Sequence, residues 1–277
     1  MAERFRELHD ATEIFVMPNP WDIGSARLLA SLGFPALATT SSGHAATLGR
    51  HDQSVTRDEM LDHAAAIAAA VDVPINIDSE RCFADDPQGV AETVALIAAT
   101  GAAGCSIEDY DPGSGEIDPI GHAVDRVAAA AEAAHRGPNR LVLTARAENH
   151  IYGIDDLDDT VARLAAYRDA GADVVYPTGL TDLDQISVVV HDIGVPVNIL
   201  ALPGTPPVGA LAAVGVRRVS TGGALAWAAY GAVAAAAREL AVKGTSTPTA
   251  TALSLVDRAA AFDRCRSQRQ RRNPDRR

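Results

Sequence analysis

Cysteine, aromatic residues and long apolar runs are all scarce in this chain of 277 residues. Its three cysteines, Cys82, Cys105 and Cys265, are an odd number and include no C-x-x-C pair, so they indicate neither a disulfide framework nor a structural zinc site. No apolar run reaches the roughly 18 residues that a membrane span requires. The N-terminus is charged and lacks the apolar region of a secretory signal. These absences predict a cytoplasmic protein without a transmembrane helix.

Positive charge is also scarce outside the C-terminus. The formal net charge is −12, yet residues 264–277 hold seven Arg against one Asp, which leaves the rest of the chain more acidic still. An acidic body of this kind disfavours binding to nucleic acid. The basic stretch has no aromatic residues among its arginines, and we interpret residues 267–277 as a disordered, solvated tail. We expect no nucleic-acid partner and no membrane partner.

Eight short runs rich in Val, Ile and Leu alternate with Ala- and Leu-rich segments of helical period. This regular alternation favours an α/β fold of the (β/α)8 TIM-barrel type. A doubly wound sheet is disfavoured because no G-x-G-x-x-G motif follows the first run. The predicted strands span residues 14–18, 36–40, 75–78, 104–109, 141–148, 174–177, 197–202 and 218–222.

We divide the chain into a catalytic barrel over residues 1–243, a linker with a C-terminal helix over 244–266, and the tail over 267–277. The linker is rich in Thr and Pro. The helical extension after it is apolar on one face, which a monomer would leave in water. We therefore expect this extension to pack on a neighbouring subunit of a homo-oligomer, either a dimer or a tetramer.

Acidic residues follow several of the predicted strands. Asp78 and Glu80 follow the third, Glu108 the fourth and Glu148 the fifth, while Asp52 lies in the loop after the second. Because the active site of a (β/α)8 barrel lies at the C-terminal ends of its strands, these carboxylates should meet at one mouth. They would repel one another without a cation, and oxygen ligands suit Mg²⁺, or alternatively Mn²⁺. Each acid could instead cap a turn or pair with an arginine.

Two further features belong to the same mouth. Residues 39–43, Thr-Thr-Ser-Ser-Gly, offer hydroxyls and backbone N–H groups that suit a carboxylate or enolate oxygen, although they could form an ordinary turn. Arg146 closes the fifth strand among apolar neighbours, where an unpaired guanidinium would be costly. It requires a carboxylate partner, either from a substrate or from Glu148. The mouth then becomes a pocket for a small dianion or 2-oxo acid.

Six sequence motifs accompany the first six predicted strands: PNPWDIGSARLL, TTSSGHAATLGRHD, PINIDSE, GCSIED, LTARAE and YRDAGADVVYPTGL. Together they resemble the isocitrate lyase and phosphoenolpyruvate mutase superfamily, over residues 18 to about 238. The resemblance implies a Mg²⁺-dependent barrel that makes or breaks a C–C or P–C bond beside a 2-oxo acid. It also implies a tetramer whose subunits exchange a C-terminal helix.

The resemblance, together with the positions of Tyr110 and Glu148 at the mouth, gives individual residues a role. The predicted catalytic residues are Arg146, Glu108 and Tyr110. The metal would be held, directly or through water, by Asp52, Asp78, Glu80 and Glu108. The substrate would be bound by Trp21, Asp22, Thr40, Ser41, Ser42, Arg146 and Glu148.

Two departures from the family pattern bear on the reaction. The usual Asp-x-Asp of strand 3 is here Asp78-Ser79-Glu80, so the longer Glu80 must reach the metal from a shifted position. The lid after strand 4, residues 110–118, contains no Cys, Lys or His. The thiol that would protonate a departing enolate in an isocitrate-type cleavage is therefore missing. Candidates for the proton source are Tyr110, Glu116, His44 and Tyr152.

The sequence thus predicts a Mg²⁺-dependent lyase that cleaves a C–C bond beside the 2-oxo or 2-hydroxy group of a small dicarboxylic acid, through a pyruvate-like enolate. An oxaloacetate-type decarboxylase or hydrolase is the nearest form. One alternative is a phosphonomutase, which moves a phosphoryl group between the oxygen and carbon of pyruvate enolate, although the lid lacks Lys and Asn. The other alternative is a non-catalytic barrel that binds a metabolite.

Overall fold

The computed structural model describes residues 1–263, so the predicted tail and the last three residues of the predicted C-terminal helix lie outside the described residues. Eight parallel strands curve into a barrel, and a short antiparallel hairpin, β5 (Tyr110–Asp111) and β6 (Glu116–Ile117), follows the fourth. The barrel strands are β1 (Phe15–Met17), β2 (Leu37–Ala38), β3 (Ile75–Asp78), β4 (Gly104–Glu108), β7 (Val142–Ala147), β8 (Val174–Pro177), β9 (Asn198–Leu200) and β10 (Arg218–Ser220).

The barrel closes at two seams outside its hydrogen-bonded ladders. One ladder joins β2, β3, β4, β7 and β8, and the other joins β1, β10 and β9. Between β8 and β9, the Val175 amide donates to the Pro196 carbonyl oxygen at 3.0 Å. Between β1 and β2, the Ala38 amide donates to the Pro18 carbonyl oxygen at 3.2 Å. The predicted (β/α)8 barrel is confirmed, and its strands are shorter than most of the predicted runs because the outer residues of those runs leave the ladders.

Helices cover the outside of the barrel, and many begin at a side chain that accepts a hydrogen bond from the first turn. Thr56, for example, accepts from the Glu59 amide, and Asp86 accepts from the Gly89 amide. The helices are α1 (Ala2–Asp10), α2 (Ile23–Ser31), α3 (Ser41–Thr47), α4 (Arg57–Ala70), α5 (Pro87–Ala99), α6 (Ile120–His135), α7 (Leu157–Asp169), α8 (Leu183–Ile193), α9 (Val208–Ala213), α10 (Ala224–Lys243), the 3₁₀ helix Thr247–Thr251, and α11 (Leu255–Phe262).

Two groups of apolar side chains stabilise this arrangement. The larger group fills the space between the strands and the outer helices. The smaller group reaches the N-terminal end of the barrel, where Phe5 of α1 packs edge-to-face with Phe15, the first residue of β1. Phe5 also approaches Gly104, the first residue of β4. Helix α1 therefore closes the end of the barrel opposite the mouth.

The C-terminal helices leave apolar side chains exposed. In α10, Val233 is 66% exposed and Val242 is 82% exposed, and in α11 Leu255 is 79% exposed. Helix α11 packs against α2 of its own chain. Within residues 1–263, α10 is the one helix that is long and apolar enough to cross a membrane by length and composition. A single helix of this kind is weak evidence for a span, and its surface equally suits contact with another subunit.

We predict that Gly104→Ala destabilises the barrel. A Cβ at this position would lie 2.6 Å from the Val142 carbonyl oxygen and 2.8 Å from Cε1 of Phe5. Backbone and a packed ring cannot both yield, so we expect a loss of about 1–3 kcal/mol in the free energy of unfolding. Urea denaturation measures it. The control Gly209→Ala, in α9, meets no atom within 4 Å and should be neutral or slightly stabilising. Equal stability of the two variants would contradict the packing described for α1.

Candidate functional site

The C-terminal ends of the barrel strands surround a cavity of about 380 Å³. Asp78, Glu108 and Arg146 reach it from the ends of β3, β4 and β7. Glu148 follows β7, and Asp52 comes from the loop that precedes α4. Most of the residues that the sequence marked as candidates therefore lie at one mouth.

Arg146 is the centre of this cluster. Its guanidinium lies 2.9 Å from a carboxylate oxygen of Asp78, 3.1 Å from one of Glu108 and 2.8 Å from one of Glu148. Burial alone would lower the pKa of Arg146, but the three carboxylates outweigh burial and raise that pKa well above its ordinary value. The predicted pairing of Arg146 with Glu148 is present. Two further acids share the same cation.

Two more carboxylates add negative charge beside Asp78. Asp52 is an exposed residue at the rim, yet burial of its carboxyl group, and then Asp78, raise its pKa. Burial, Asp78 and Asp52 together raise the pKa of Glu80 to about 8. The Oε1 atom of Glu80 is buried without a hydrogen-bond partner. These residues fit a divalent cation, which would offset the repulsion and satisfy the unpaired oxygen.

The acids do not form a closed metal cage by themselves. Among residues 1–263, no three His, Cys, Asp or Glu side chains are grouped so that they could hold a metal ion. Mg²⁺ commonly binds through one or two carboxylates and keeps several water ligands, so an open arrangement suits it. The four metal ligands named from the sequence stay a prediction: Asp52, Asp78, Glu80 and Glu108.

The loop after β3 holds Glu80 in an unusual backbone conformation. Glu80, Cys82 and Phe83 have φ angles of 47°, 61° and 54°, in a left-handed region that costs a residue with a Cβ roughly 1–2 kcal/mol. Arg126 on α6 is 1% exposed and donates to the carbonyl oxygen of Arg81, within this loop. A hydrogen bond from a buried arginine thus helps to hold this loop in a backbone conformation that glycine would adopt more easily.

The predicted Thr/Ser loop is in fact the start of helix α3, because Thr40 caps its first turn. The Ser41 amide donates to a carboxylate oxygen of Asp78 at 2.9 Å. The Ser42 hydroxyl accepts a hydrogen bond from the indole of Trp227 at 3.0 Å. The Ser41 amide is therefore engaged with Asp78, while both serines line the cavity.

The predicted lid folds as the β5–β6 hairpin, and contacts with Tyr152 and Arg81 help to hold it against its surroundings. The Tyr110 ring stacks on Tyr152, with the ring centroids 3.7 Å apart. Arg81, in the loop after β3, pairs with Asp111 at 3.2 Å. Tyr152 lines the cavity, and Tyr110 lies outside the set of lining residues. The hairpin therefore meets the cavity wall through Tyr152.

The family model for phosphoenolpyruvate phosphomutase matches residues 5–241, which include all eight barrel strands. The chain belongs to this family. A crystal structure of 2,3-dimethylmalate lyase, described as a PEP mutase/isocitrate lyase superfamily member, is 26% identical over 98% of each chain, with a TM-score of 0.85. The resemblance inferred from the sequence motifs is confirmed.

Two other relatives of this chain are informative. One has a higher structural similarity, and the other has a named activity. A protein of Burkholderia cenocepacia J2315, provisionally described as a lyase/mutase, is 49% identical, with a TM-score of 0.90 over 94% of this chain and 95% of its own. An oxaloacetate decarboxylase of Bradyrhizobium sp. (strain ORS 278) is 30% identical over 194 residues, which cover 67% of this chain and 65% of the relative. The chain is therefore similar to lyases and mutases of its superfamily.

Two residues that the family resemblance assigned to substrate lie outside the cavity wall of the described structure. They are Trp21 and Asp22. The Asp22 carboxylate caps α2 by accepting a hydrogen bond from the Ser25 amide at 2.6 Å. Cys82 is fully buried, and burial raises the pKa of its thiol to about 11, so it is poorly suited to proton transfer at the mouth.

The cavity wall of this family member also includes residues to which the sequence analysis gave no role. The Gln53 side-chain amide donates to Glu108 at 2.8 Å, and the ring of Tyr176 lies 5.5 Å from the guanidinium of Arg146. Tyr176 could have been found as an aromatic residue near the end of a predicted strand. Trp227 gave no such signal, because its place depends on where the first turn of α10 lies relative to the mouth.

We predict that Glu80 makes the metal-free protein less stable as the pH rises. Because its folded pKa of about 8 lies above the ordinary 4.5, the native state holds a proton that the unfolded chain loses. The stabilisation is complete below about pH 4.5 and is lost as the pH approaches 8. With chelator present, Glu80→Gln should flatten the dependence of the melting temperature on pH in this window. The exposed control Glu116→Gln should not, and equal slopes would contradict the burial of Glu80.

Proposed function

We propose that this protein is a Mg²⁺-dependent lyase that breaks a C–C bond beside the 2-oxo group of a small dicarboxylic acid of the oxaloacetate type. A 2-hydroxy acid that yields such a 2-oxo acid is a related substrate form. The observation that carries the proposal is the guanidinium of Arg146, shared by three carboxylates and placed in one cavity with Ser41 and Ser42. The similarity to an oxaloacetate decarboxylase supports the substrate class.

The residues of the mouth have distinct tasks in this proposal. Bound by the acids beside Asp78, the metal would supply Lewis-acid polarisation of the substrate 2-oxo group. Arg146 faces a substrate carboxylate, while the hydroxyls of Ser41 and Ser42 donate to an oxygen that gains charge. In an oxaloacetate-type cleavage the C3–C4 bond breaks, its electron pair passes to the C2 oxygen as an enolate, and carbon dioxide leaves. A proton then returns to C3.

Tyr152 is the proton donor that we favour. Its ring lines the cavity, whereas Tyr110 stacks behind it. The choice rests on this position in the cavity wall. Burial, and then Glu108 and Glu148, raise the pKa of Tyr152 well above its ordinary value, so the phenol is protonated at neutral pH but is a weaker acid than a free phenol. In the proposal Tyr110, named from the sequence as catalytic, acts by positioning Tyr152.

A phosphonomutase is the second candidate function. The matching family model is that of phosphoenolpyruvate phosphomutase, which favours chemistry on a P–C bond. The lid over residues 110–118 contains neither Lys nor Asn, and a transferring phosphoryl group would need such donors. We therefore rank C–C cleavage first.

We predict that the purified protein with Mg²⁺ cleaves oxaloacetate, and that EDTA abolishes the reaction while Mn²⁺ restores it. NMR follows the products for oxaloacetate, isocitrate, methylisocitrate, phosphonopyruvate and phosphoenolpyruvate in parallel. Because the lid lacks a thiol, isocitrate and methylisocitrate should react at least about a thousandfold more slowly, a difference of ~4 kcal/mol. Asp78→Asn should abolish activity, and the exposed control Asp62→Asn should preserve it.

Each other outcome of this screen has a definite meaning. Full activity in metal-free buffer would contradict the metal assignment, and efficient isocitrate turnover would contradict the interpretation of the lid. Turnover of phosphonopyruvate alone would establish the second candidate. Absence of all turnover, with oxalate still bound in a Mg²⁺-dependent way, would instead support a non-catalytic metabolite-binding barrel.

We also propose a cytoplasmic homo-oligomer, a dimer or a tetramer, assembled through α10 and α11. The exposed apolar residues of these two helices support it, because a subunit interface would remove them from water. The basic tail is left out of this interface. The proposal includes neither a nucleic acid nor a membrane as a partner.

We predict a mass of two or four times 28.8 kDa in light scattering at micromolar concentration. Leu240→Glu, on α10 at a position 57% exposed, should lower that mass by placing a charge in the interface. Leu96→Glu, on α5 at a position 43% exposed, is the matched control and should leave it unchanged. A monomeric wild-type protein would reject the assembly without affecting the proposed reaction.

A further inference from the structure

A second arginine lies inside the barrel, away from the acids of the mouth. Arg218 is the first residue of β10 and is 2% exposed. The interior around it is polar, although barrel interiors are usually filled by branched apolar side chains. Buried polar residues that line the cavity with Arg218 include Asn76, Ser106, Asn198 and Ser220.

All hydrogen-bond partners of Arg218 in the described structure are neutral. Its Nε donates to Asn198 at 2.8 Å, and one Nη donates to the Thr144 hydroxyl at 3.0 Å. The other Nη lies 3.2 Å from Nε2 of His9. His9 is neutral, because burial and then Arg218 lower its pKa to about 3. With Nδ1 of His9 2.7 Å from the Phe5 carbonyl oxygen, Nε2 is the acceptor of the pair.

The charge of Arg218 therefore lacks a counter-ion. Among residues 1–263, no carboxylate lies within 4 Å of it, whereas Arg126, Arg146 and Arg163 each have at least one. Burial lowers the pKa of Arg218 to about 9. A buried cation without a paired anion is strongly unfavourable, and an interior that retains one is expected to take up an anion.

The guanidinium also has donors to offer. It carries five N–H groups, and three are engaged, which leaves two. Asn76 lines the same space, is 3% exposed, and has an Oδ1 atom without a partner. With its amide rotated by 180°, Asn76 would present N–H donors there instead. Since α1 closes the opposite end of the barrel, a ligand would enter from the mouth.

We propose that Arg218 forms an inner anion subsite, which binds one small monovalent anionic group inside the barrel. The group is either the far carboxylate of a substrate or a free anion of similar size. Tyr176 contacts both parts of the cavity, because its ring faces Arg146 and its hydroxyl lies 3.5 Å from Ser220. Ser220 in turn accepts a hydrogen bond from Asn198. The subsite does not depend on which reaction the mouth performs.

Bromide is the probe for this subsite, because it is a small anion with an anomalous X-ray signal. In crystals of the full chain grown with sodium bromide, we expect an anomalous peak beside Arg218. In solution, bromide or chloride should raise the melting temperature by about 3–5 °C in a saturable way, relative to gluconate at equal ionic strength. Arg218→Met should lose this response. The half-buried neighbour Arg217, which donates to the Thr12 carbonyl oxygen at 2.7 Å, is the control: Arg217→Gln removes the same charge and should keep the response.

Adding oxalate distinguishes the two sources of the anion. If oxalate displaces bromide from Arg218, the subsite takes a substrate carboxylate. If both bind together, it holds a free anion. A water molecule at Arg218 without an anomalous peak, together with equal melting temperatures in bromide and gluconate, would overturn the proposal. The crystallographic arm uses the wild-type protein, so it decides the matter even if Arg218→Met fails to fold.

Discussion

The guanidinium of Arg146 is shared by carboxylates at the ends of three neighbouring strands, and the geometry of the mouth depends on this sharing. Asp78, Glu108 and Glu148 are each held within 3.1 Å of it. Removing the arginine would leave these acids uncompensated, at a cost of about 3–5 kcal/mol. One guanidinium does not fully compensate three carboxyl groups, and burial raises the pKa of Glu108 well above its ordinary value. The same interaction that orders the mouth therefore leaves it attractive to a further cation.

Two further arginines, Arg81 and Arg126, hold the loops next to the Arg146 cluster. Arg126 pairs with Asp118 at 2.8 Å, and Arg81 pairs with the same carboxylate at 3.2 Å. Since Asp118 follows the lid hairpin and Arg81 belongs to the loop after β3, one buried carboxylate connects the two segments. Because these ion pairs join the end of the lid to the loop that carries Glu80, the two segments form one rigid unit. The residues of that loop with positive φ angles are thereby held in their strained conformation.

Much of this could be predicted from the sequence, because strand ends and periodicity are local. The alternation of apolar runs with helical segments predicted the barrel, and the acids that follow the strands predicted the site at its mouth. Other features depend on tertiary packing and carry no local signal. Arg218 reads as an ordinary polar start to a strand, and only the barrel shows that it points inward. Trp227 lies in an Ala-rich helix, and its indole reaches Ser42 only because the first turn of α10 lies at the mouth.

That last contact has a consequence for how the protein would respond to its own concentration. Trp227 is at the first turn of α10, and the rest of this helix is mostly exposed. If another subunit covers α10, the surface that holds the subunits together and the wall that holds the ligand are two sides of one helix. Ligand affinity and assembly would then be reciprocally linked, so that dilution weakens ligand binding and ligand binding strengthens assembly.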